Sequence, residues 1–446
     1  MSASPSVSTS ASRSGTAWTC PFCPLLCDSF QVAAPPAQAD APTRPLMLQG
    51  SDCPRAARAL QAFGGSPSSA SPQIDGQACD LDSAIAAAAR ILSASRQPLF
   101  GGLGTDVAGA RALYRLACET GAISDAAQGD ALMHGLRSMQ DRGQFTSTFA
   151  ELRTRADLIV CLGGSPAVQH PEFFRRCGLG EDLVAARHIV LVGAAAGDDV
   201  PATLAALNGT RGITAEAIDL HGDLFDTASL LAALVADRDV SAAPPAWVAL
   251  AERLRAAHYG VIVWQNPELP AHGALLVETI NHIVGLLNRT TRAAGFPLGG
   301  GNGAATVNQV FSWLSGMPLR SRAGPAGLEH EPLCFDAKRV MADGAADALL
   351  WLSSFNADPL PATLLPRVVI GHPDLAKILP ACASGATTVL IPVSTPGIGS
   401  AGHVFRTDGV VLMPLNAVYA DTLPTAATVI SRLTQAVAAL KQEAVA

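Results

Sequence analysis

Short apolar runs that end in glycine or asparagine recur along the chain. Each is a continuous stretch of hydrophobic residues that favour β structure, a pattern typical of strands buried on both faces of a parallel sheet. The runs are PLFGGLG from Pro98, DLIVCLGG from Asp157, HIVLVGAA from His188, YGVIVWQN from Tyr259, ALLWLSSFN from Ala348, RVVIGHP from Arg367 and TTVLIPVS from Thr387.

Helical patterns lie between several of these runs. The helical stretches are Asp82 to Ser95, Val107 to Gly121, Phe145 to Ala156 and Gly273 to Arg289. Strands that alternate with helices predict an α/β fold with Rossmann-like layers. Because one small sheet does not accommodate this many spaced strands, the pattern predicts two such domains.

The N-terminal region has a different composition. Residues 1–17 are mostly Ser, Ala and Thr and lack the apolar core of a signal peptide, so we expect a disordered tail. Pro- and Ser-rich stretches at Ala33 to Pro45 and Gly64 to Gln73 predict loops that frame a small module of residues 18–75.

Composition narrows the class of protein. Of the 446 residues, 49% are hydrophobic and 15% charged, which is enough apolar material for a sizeable core. The net charge of -7 argues against a broad nucleic-acid surface. Because no apolar stretch is long enough to cross a bilayer, we expect no membrane association and a cytoplasmic location.

Four of the ten cysteines, Cys20, Cys23, Cys27 and Cys53, lie near the N-terminus. Four soft thiolates in one small module suit a [4Fe-4S] cluster or a zinc ion. Structural zinc usually takes two paired knuckles, whereas Cys53 stands alone, which favours the cluster. A site that has lost its metal stays open as a third interpretation. Cys161, within an apolar run, is expected to be a small buried hydrophobe.

The chain resembles the large subunits of molybdopterin-dependent oxidoreductases, in particular the B-type subunits of formylmethanofuran dehydrogenase and of the bacterial formyltransferase/hydrolase complex. The segments that carry the resemblance are CPFCPLLCD from Cys20, ALMHGLRSMQDRGQFTSTFAELRTRADLIVCLGGSPAVQHPEFFRR from Ala131, GFPLGGGNGAATVNQVFSWLSGMP from Gly295 and VLIPVSTPGIGSAGHVFRTDGVVLMPL from Val389. The cysteine cluster and the Ala131 segment are the specific parts, because glycine-rich stretches alone are weak evidence.

The resemblance, together with the two groups of strands, predicts how the domains are arranged. One Rossmann-like domain is expected from residues 76–132 and 304–446, with a second inserted at residues 133–303. The wider family also carries a C-terminal β-barrel that encloses the pterin. In the formylmethanofuran group that barrel is a separate subunit, so none is expected in this chain.

The resemblance also locates a metal-ligand position. In active relatives a Cys or selenocysteine before a His-Gly pair binds molybdenum or tungsten, and here the matching residues are Met133, His134 and Gly135. A thioether is neutral and cannot replace the charge of a thiolate. Met133 therefore argues against a bound molybdenum or tungsten pterin guanine dinucleotide and against dehydrogenase chemistry. His134 is expected to lie beside the lost metal position, as a pocket residue or a structural one.

The family's pterin contacts come from loops after strands, where backbone N–H groups can bind phosphate. An ordinary turn explains any single glycine in such a loop equally well. The matching positions are Gly163, Gly164, Ser165, Pro166, Gly301, Asn302, Gly303, Ser354, Phe355 and Asn356.

Three functional hypotheses follow. The first is a non-redox, mainly structural B-type subunit that assembles with the other subunits of a formyltransferase/hydrolase complex. The resemblance implies that such a complex passes a formyl unit between a tetrahydromethanopterin-type cofactor and a methanofuran-like carrier and releases formate. The second is an active molybdenum or tungsten oxidoreductase subunit that acts on a formyl or formate unit. The third is an iron–sulfur electron-transfer module. Metal content distinguishes the three.

Overall fold

The computed structural model describes residues 15–33, 45–63, 70–194, 197–299, 303–380 and 385–445. From the N-terminus to residue 142 the elements are β1 (Thr16–Trp18), β2 (Phe30–Ala33), β3 (Met47–Gln49), α1 (Pro54–Leu60), β4 (Gln73–Ile74), β5 (Gln77–Ala78), α2 (Leu81–Ala94), β6 (Pro98–Gly104), α3 (Val107–Thr120), β7 (Ile123–Ser124) and α4 (Gly129–Arg142).

The middle of the chain forms a second set of elements, with short 3-10 helices at Pro166–Val168 and Asn266–Glu268. These elements are α5 (Phe149–Thr154), β8 (Leu158–Leu162), α6 (Phe173–Arg176), β9 (Arg187–Val192), α7 (Val200–Asn208), β10 (Ile213–Ile218), α8 (Leu224–Val235), α9 (Pro245–Ala256), β11 (Gly260–Gln265), α10 (Gly273–Leu287) and β12 (Ala293–Leu298).

The remaining elements return to the first domain. They are α11 (Ala304–Ser315), β13 (Ser321–Gly324), β14 (Gly327–His330), α12 (Ala337–Ala342), β15 (Ala348–Ser353), β16 (Arg367–Gly371), α13 (Leu375–Ile378), β17 (Thr388–Pro392), β18 (Gly402–Phe405), β19 (Leu412–Leu415) and α14 (Ala426–Val445).

The larger sheet has the strand order β14-β13-β7-β6-β15-β16-β17-β4-β5. Its middle strands, from β7 to β17, are parallel, and antiparallel hairpins close each end. Strands β6, β15, β16 and β17 are buried throughout, which explains why they read as continuous apolar runs. The alanine-rich helices α2, α3 and α14 pack on one face of this sheet.

The smaller sheet is entirely parallel, with the order β10-β9-β8-β11-β12. All of its strands come from residues 158–298, between β7 and β13 of the larger sheet. Helices α8, α9 and α10 cover one face. The other face packs against α5, α6, α7 and the N-terminal module.

The N-terminal module is a three-stranded antiparallel sheet of β1, β2 and β3, followed by α1. The predicted tail of residues 1–17 is too long, because β1 begins at Thr16 and pairs with β2. Trp18 fixes this strand: its side chain is buried and its Nε1 donates to the carbonyl of Gly397 at 2.7 Å. The rest of the predicted tail, residues 1–14, lies outside the described residues, as do most of the two predicted loops.

The structure confirms the predicted fold class: two Rossmann-like parallel sheets accompany a small cysteine-bearing module, and each sheet in the described ranges is open. All seven predicted strands are present. The exact domain boundaries stay predictions. Across the described ranges no helix is both long enough and apolar enough to span a bilayer.

Candidate functional site

Met133 lies on α4, the helix between the two large domains. Its neighbour Leu132 packs against the core of the larger sheet, while α10 of the inserted domain packs against α4 from the other side. The Met133 side chain is only 4% exposed and lines a cavity of about 540 Å³. Both domains contribute to this cavity, with Gln128, Arg137, Arg320, Pro332 and Lys338 on one side and Asn266, Leu269, Pro270, His272 and Ala274 on the other.

The start of α4 is anchored by buried charges. A side chain at Gly129 would place its Cβ 2.2 Å from Asp125 Oδ1, so this position requires glycine. Arg320 extends beneath the helix and donates to Asp125 Oδ1 at 3.3 Å, to Asp130 Oδ1 at 2.8 Å and to Asp336. These contacts fix the first turn of α4 and therefore the position of Met133. Sequence reasoning did not find Arg320, because its carboxylate partners on and before α4 are remote in sequence.

His134 lines the same cavity and is half-buried. Its ring lies against Gly273, where an added Cβ would be 3.0 Å from His134 Cδ2. Burial lowers the pKa of His134, and Arg320 and Arg137 lower it further, against the opposing effect of Asp130. At neutral pH the imidazole is therefore uncharged, so one ring nitrogen can donate a hydrogen bond while the other accepts one.

A molybdenum or tungsten pterin does not fit the residues at this position. Met133 presents a neutral thioether where the resemblance predicts an anionic ligand, and its buried side chain forms part of the cavity wall. We derive no reaction step through such a group.

The four N-terminal cysteines are buried free thiols in one hydrophobic cluster. Burial raises the pKa of Cys20, and the charges of Cys27, Cys23 and Cys53 raise that pKa further by smaller amounts. The four sulfurs therefore lie close enough to interact electrostatically. The backbone N–H groups of Phe22 and Leu25 hydrogen-bond to the sulfurs of Cys20 and Cys23.

This donor set has the chemistry of a soft-metal site, but its placement does not complete one. Among the described residues, no group of three or more histidine, cysteine, aspartate or glutamate side chains is positioned to hold a metal ion. The cluster ligation predicted for these cysteines therefore stays a prediction.

His170 joins the cysteine module, a contact that sequence reasoning missed. Its Nδ1 lies 3.4 Å from Cys23 Sγ, and the ring is only 4% exposed. Burial lowers the pKa of His170 to about 4, with a further decrease from Arg55. One indication in the sequence that His170 faces a site is its position before Pro171 shortly after β8. Histidines in that position more often cap a loop than contact a ligand.

The loop after β8 does not offer open amides. The N–H groups of Gly163 and Gly164 both donate to the carbonyl of Val192, at 2.9 and 3.0 Å. The N–H of Ser165 donates to the Asp198 carboxylate at 2.9 Å, and Pro166 has no N–H. A phosphate at this loop would therefore have to displace the Asp198 carboxylate from the N–H of Ser165, and the predicted pterin contact here stays a prediction.

Other predicted pterin positions converge at the carboxyl edge of the larger sheet. An added Cβ at Gly303 would lie 2.6 Å from the carbonyl of Thr105 and 2.7 Å from the Phe355 ring, so the loops before α11 and after β6 and β15 meet there. Ser354 is fully buried, and Asn356 lines a cavity of about 480 Å³ on the same edge. Gly301 and Asn302 lie outside the described residues. A pterin-binding role for this group stays a prediction.

The Arg406–Asp408 pair holds a turn. Arg406 forms an ion pair with Asp408, whose side chain is fully buried and also accepts from the N–H of Phe149 at 3.2 Å. Thr407 donates its N–H to Pro24 O at 3.0 Å, so the turn connects the cysteine module with the inserted domain.

Comparison with known proteins identifies relatives along most of the chain. No family model matches. The B-type subunit of the formyltransferase/hydrolase complex Fhc of Methylorubrum extorquens is 31% identical over 342 residues, which is 75% of this chain and 87% of the relative. The B-type subunit of the tungsten-containing formylmethanofuran dehydrogenase 2 of Methanocaldococcus jannaschii is 23% identical over 430 residues, 88% of this chain and 91% of that protein.

A solved structure agrees with these sequences. A chain in the crystal structure of the formyltransferase/hydrolase complex from Methylorubrum extorquens, in complex with methylofuran, superposes with a TM-score of 0.70 and 30% identity. The match covers 83% of this chain and all of the other. By sequence and by fold, the chain belongs to the family of B-type subunits of formyltransferase/hydrolase complexes.

Proposed function

We propose that this chain is the B-type subunit of a formyltransferase/hydrolase complex in one-carbon metabolism, with a mainly structural role. It assembles with the other subunits, which carry out the transfer of the formyl unit and its release as formate. The observation that carries the proposal is Met133, a buried thioether in the cavity between the two domains.

The position of Met133 argues against redox chemistry in this chain. An oxidised molybdenum or tungsten centre is stabilised by anionic ligands, and Met133 has no acidic proton to lose. The nearest titratable group on α4, His134, is kept neutral by burial and by neighbouring cations. Neither residue can supply the missing negative charge.

A dye-reduction assay tests the loss of redox function. The complete protein, expressed with molybdate and tungstate, is expected to reduce no dye with formate or with a formylated carrier. Met133→Cys serves as the comparison, and Met133→Leu is the matched control without sulfur. Formate-dependent reduction by the unaltered protein would contradict the proposal and favour the active-oxidoreductase alternative.

Assembly is tested separately from chemistry. The purified chain mixed with the other subunits of the organism's formyltransferase/hydrolase complex is expected to form a stable complex on size-exclusion chromatography. Formyl transfer and hydrolysis by that complex should be unaffected by Met133→Leu. A chain that stays unassembled under these conditions would refute the structural role.

We further propose that an iron–sulfur cluster in this chain would be bound by the four N-terminal cysteines, Cys20, Cys23, Cys27 and Cys53. Their burial and the N–H groups donated by Phe22 and Leu25 support soft thiolate ligation. Iron and acid-labile sulfide in the anaerobically purified chain, lost in Cys53→Ser, would confirm it. Zinc in place of iron, or no metal, would reject the cluster, and molybdenum or tungsten would reject the loss of the pterin.

A further inference from the structure

The segment between α4 and α5 forms an edge beside the smaller sheet. Gly295 of β12 donates its N–H to Phe145 O at 2.8 Å and accepts from Ser147 N at 2.9 Å, a parallel bridge centred on Thr146. In an extended strand, successive residues direct their N–H and C=O groups to opposite sides. The Thr146 amide and carbonyl therefore face away from the sheet, and in the described part of the chain they have no hydrogen-bond partner.

A groove of about 870 Å³ lies next to this edge, between the C-terminal end of α4 and one face of α10. Two large apolar side chains lining it are unusually open to solvent, Phe145 at 66% exposure and Leu275 at 59%. Gly143 and Gly285 leave its surface open, because an added Cβ at either would meet no atom within 4 Å.

Two polar atoms on the groove are buried without a partner in the described structure: the donor Gln144 Nε2 and the acceptor Asn281 Oδ1. The amide nitrogen of Asn281 is already used, because it donates to Ser138 Oγ at 2.8 Å. Burying unpartnered polar groups is unfavourable, so native proteins usually pair them with a ligand or water. One donor and one acceptor match the C=O and N–H of a peptide backbone.

The rim of the groove is basic although the whole chain carries a net charge of -7. Arg142 forms an ion pair with Glu278 across the groove. Arg289 lines the other end, and in the residues that the structure describes its guanidinium has no acidic or hydrogen-bonding partner. A carboxylate on the bound segment would complement it.

We propose that this groove binds an extended segment of another subunit of the complex by adding it as a strand beside Phe145–Ser147. The backbone of the segment pairs with Thr146, Gln144 and Asn281. Its alternate side chains cover Phe145 and Leu275, and an acidic residue faces Arg289. This mode of binding combines main-chain hydrogen bonds with side-chain pockets. The inference rests on the proposed function, because that function supplies the partner subunits.

An extended segment fits better than a helix. A helix satisfies its own backbone hydrogen bonds and would leave the Thr146 amide and carbonyl unpaired. A single strand supplies both missing groups along one edge, and its alternate side chains project from the face that is turned toward the groove.

The test is reconstitution of the purified full-length chain with the other subunits of its complex. Phe145→Asp combined with Leu275→Asp is expected to weaken assembly by at least about tenfold. Thr146→Pro removes one N–H donor and should also weaken assembly, whereas Thr146→Ala keeps the donor and should not. Leu364→Asp, at a residue 78% exposed and outside this groove, is the matched control for surface charge.

Hydrogen–deuterium exchange gives a second readout that does not depend on the variants. On assembly, the Thr146 amide should become protected, with unchanged protection at β10 on the opposite end of the sheet. Thermal unfolding of each variant alone, expected to match the unaltered chain, excludes a general loss of folding. If all groove variants assemble with the affinity of the unaltered chain, and the Thr146 amide exchanges as fast in the complex as in the free chain, this inference alone is overturned. Failure of the unaltered chain to assemble would overturn the proposed function together with it.

Discussion

Arg320 is the most heavily bonded buried charge near the cavity. Its side chain is 4% exposed and contacts the carboxylates of Asp125, Asp130 and Asp336, as well as Pro332 O at 2.6 Å. It adopts a φ of 63°, a left-handed conformation that is uncommon outside glycine. The surrounding carboxylates thus hold an unfavourable backbone in place, which indicates that the side-chain network outweighs the local strain.

Removing Arg320 should destabilise the protein strongly. Arg320→Ala leaves the buried Asp125 carboxylate without its cation, and breaking a buried pair in this way costs about 3–5 kcal/mol. Arg320→Lys keeps the charge but loses the fork of donors, so its loss should be smaller. Urea unfolding measures both. Equal stability of Arg320→Ala and the unaltered protein would show that the network contributes nothing.

Asp125 should make stability depend on pH between about 4 and 6. Burial raises its pKa from 3.8 to about 6, more than the Arg320 guanidinium and the Ala337 N–H lower it. Because the folded pKa exceeds the unfolded one, the folded state binds the proton more tightly. The contribution of Asp125 to the free energy of unfolding is therefore fully present below pH 3.8. It is lost as the pH rises through 6, and the total loss is up to about 3 kcal/mol.

The variant Asp125→Asn isolates this effect. The difference in unfolding free energy between the variant and the unaltered protein should change between pH 4 and pH 6.5 and then become constant. Asp130 does not interfere, because its pKa is lowered to about 2 and its own contribution changes only at lower pH. A pH-independent difference would contradict the raised pKa of Asp125.

The sequence allowed a residue to be singled out only where that residue belongs to a recognisable motif. The motif Met133-His134-Gly135 singled out Met133 and His134, which line the cavity between the two domains, while the role of Met133 as a former metal-ligand position stays a prediction. Arg320 gave no such signal, because its partners Asp125 and Asp130 are brought together with it only by the fold. The hydrogen bond from Ser165 N to Asp198 could not be predicted either. The sequence of a glycine-rich loop is the same whether its backbone amides are free or already hydrogen-bonded to a carboxylate.

At the scale of elements, α5 begins later than the pattern indicated. The periodicity from Phe145 to Ala156 predicted one helix, whereas α5 spans Phe149–Thr154. Thr148 and Glu151 form a capping box that fixes the start, and the residues before it pair with β12 instead. Tertiary pairing with Gly295 therefore overrides the helical pattern, and a single sequence does not contain that information.

Loss of the capping box should shorten or destabilise α5. Thr148 Oγ1 accepts from Glu151 N at 3.2 Å, and an N-cap change of this kind costs about 1 kcal/mol. Thr148→Ala should lower the free energy of unfolding by that amount, and Thr148→Ser should retain most of it. Thr290→Ala, on the surface after α10, is the control and should have no measurable effect. Indistinguishable Thr148→Ala and Thr290→Ala proteins would contradict the capping role.

The strands show where the period-based prediction fails. The seven predicted strands were found because both of their faces are covered and their sequences are apolar over most of their length. β10, with the sequence ITAEAI, is an edge strand with only two buried residues, and β12 contains alanine, glycine and proline. Neither has the composition of a buried strand, so the place of β10 follows only from its packing on β9 and α7, and the place of β12 from its packing on β11 and α10.

At the scale of the whole molecule, the N-terminal module connects parts that are distant in sequence. Its cysteines and Phe22 belong to the same hydrophobic cluster as Phe149 and Phe173 of the inserted domain. Trp18, through Gly397, reaches the loop after β17 of the larger sheet. The sequence predicted a separate cysteine module, but not that it bridges both domains, because no local pattern records contacts over such separations.

Trp18 should therefore matter to the whole molecule more than its place near the N-terminus suggests. Its side chain is 1% exposed and lies 6.1 Å from the Phe22 ring, centroid to centroid. Trp18→Ala removes a fully buried aromatic residue and should cost about 3–5 kcal/mol. Trp18→Phe keeps most of the apolar volume but loses the hydrogen bond to Gly397 O, which should lower the free energy of unfolding by about 1 kcal/mol. The smaller ring also leaves part of the Trp18 site empty, which adds to that loss.

Hydrogen exchange shows which parts of the molecule are destabilised. In Trp18→Ala, both β1–β2 and the loop around Gly397 should exchange faster, whereas the exchange of α14 should be unchanged. Faster exchange confined to β1–β2 would mean that the module folds on its own and does not hold the two domains together.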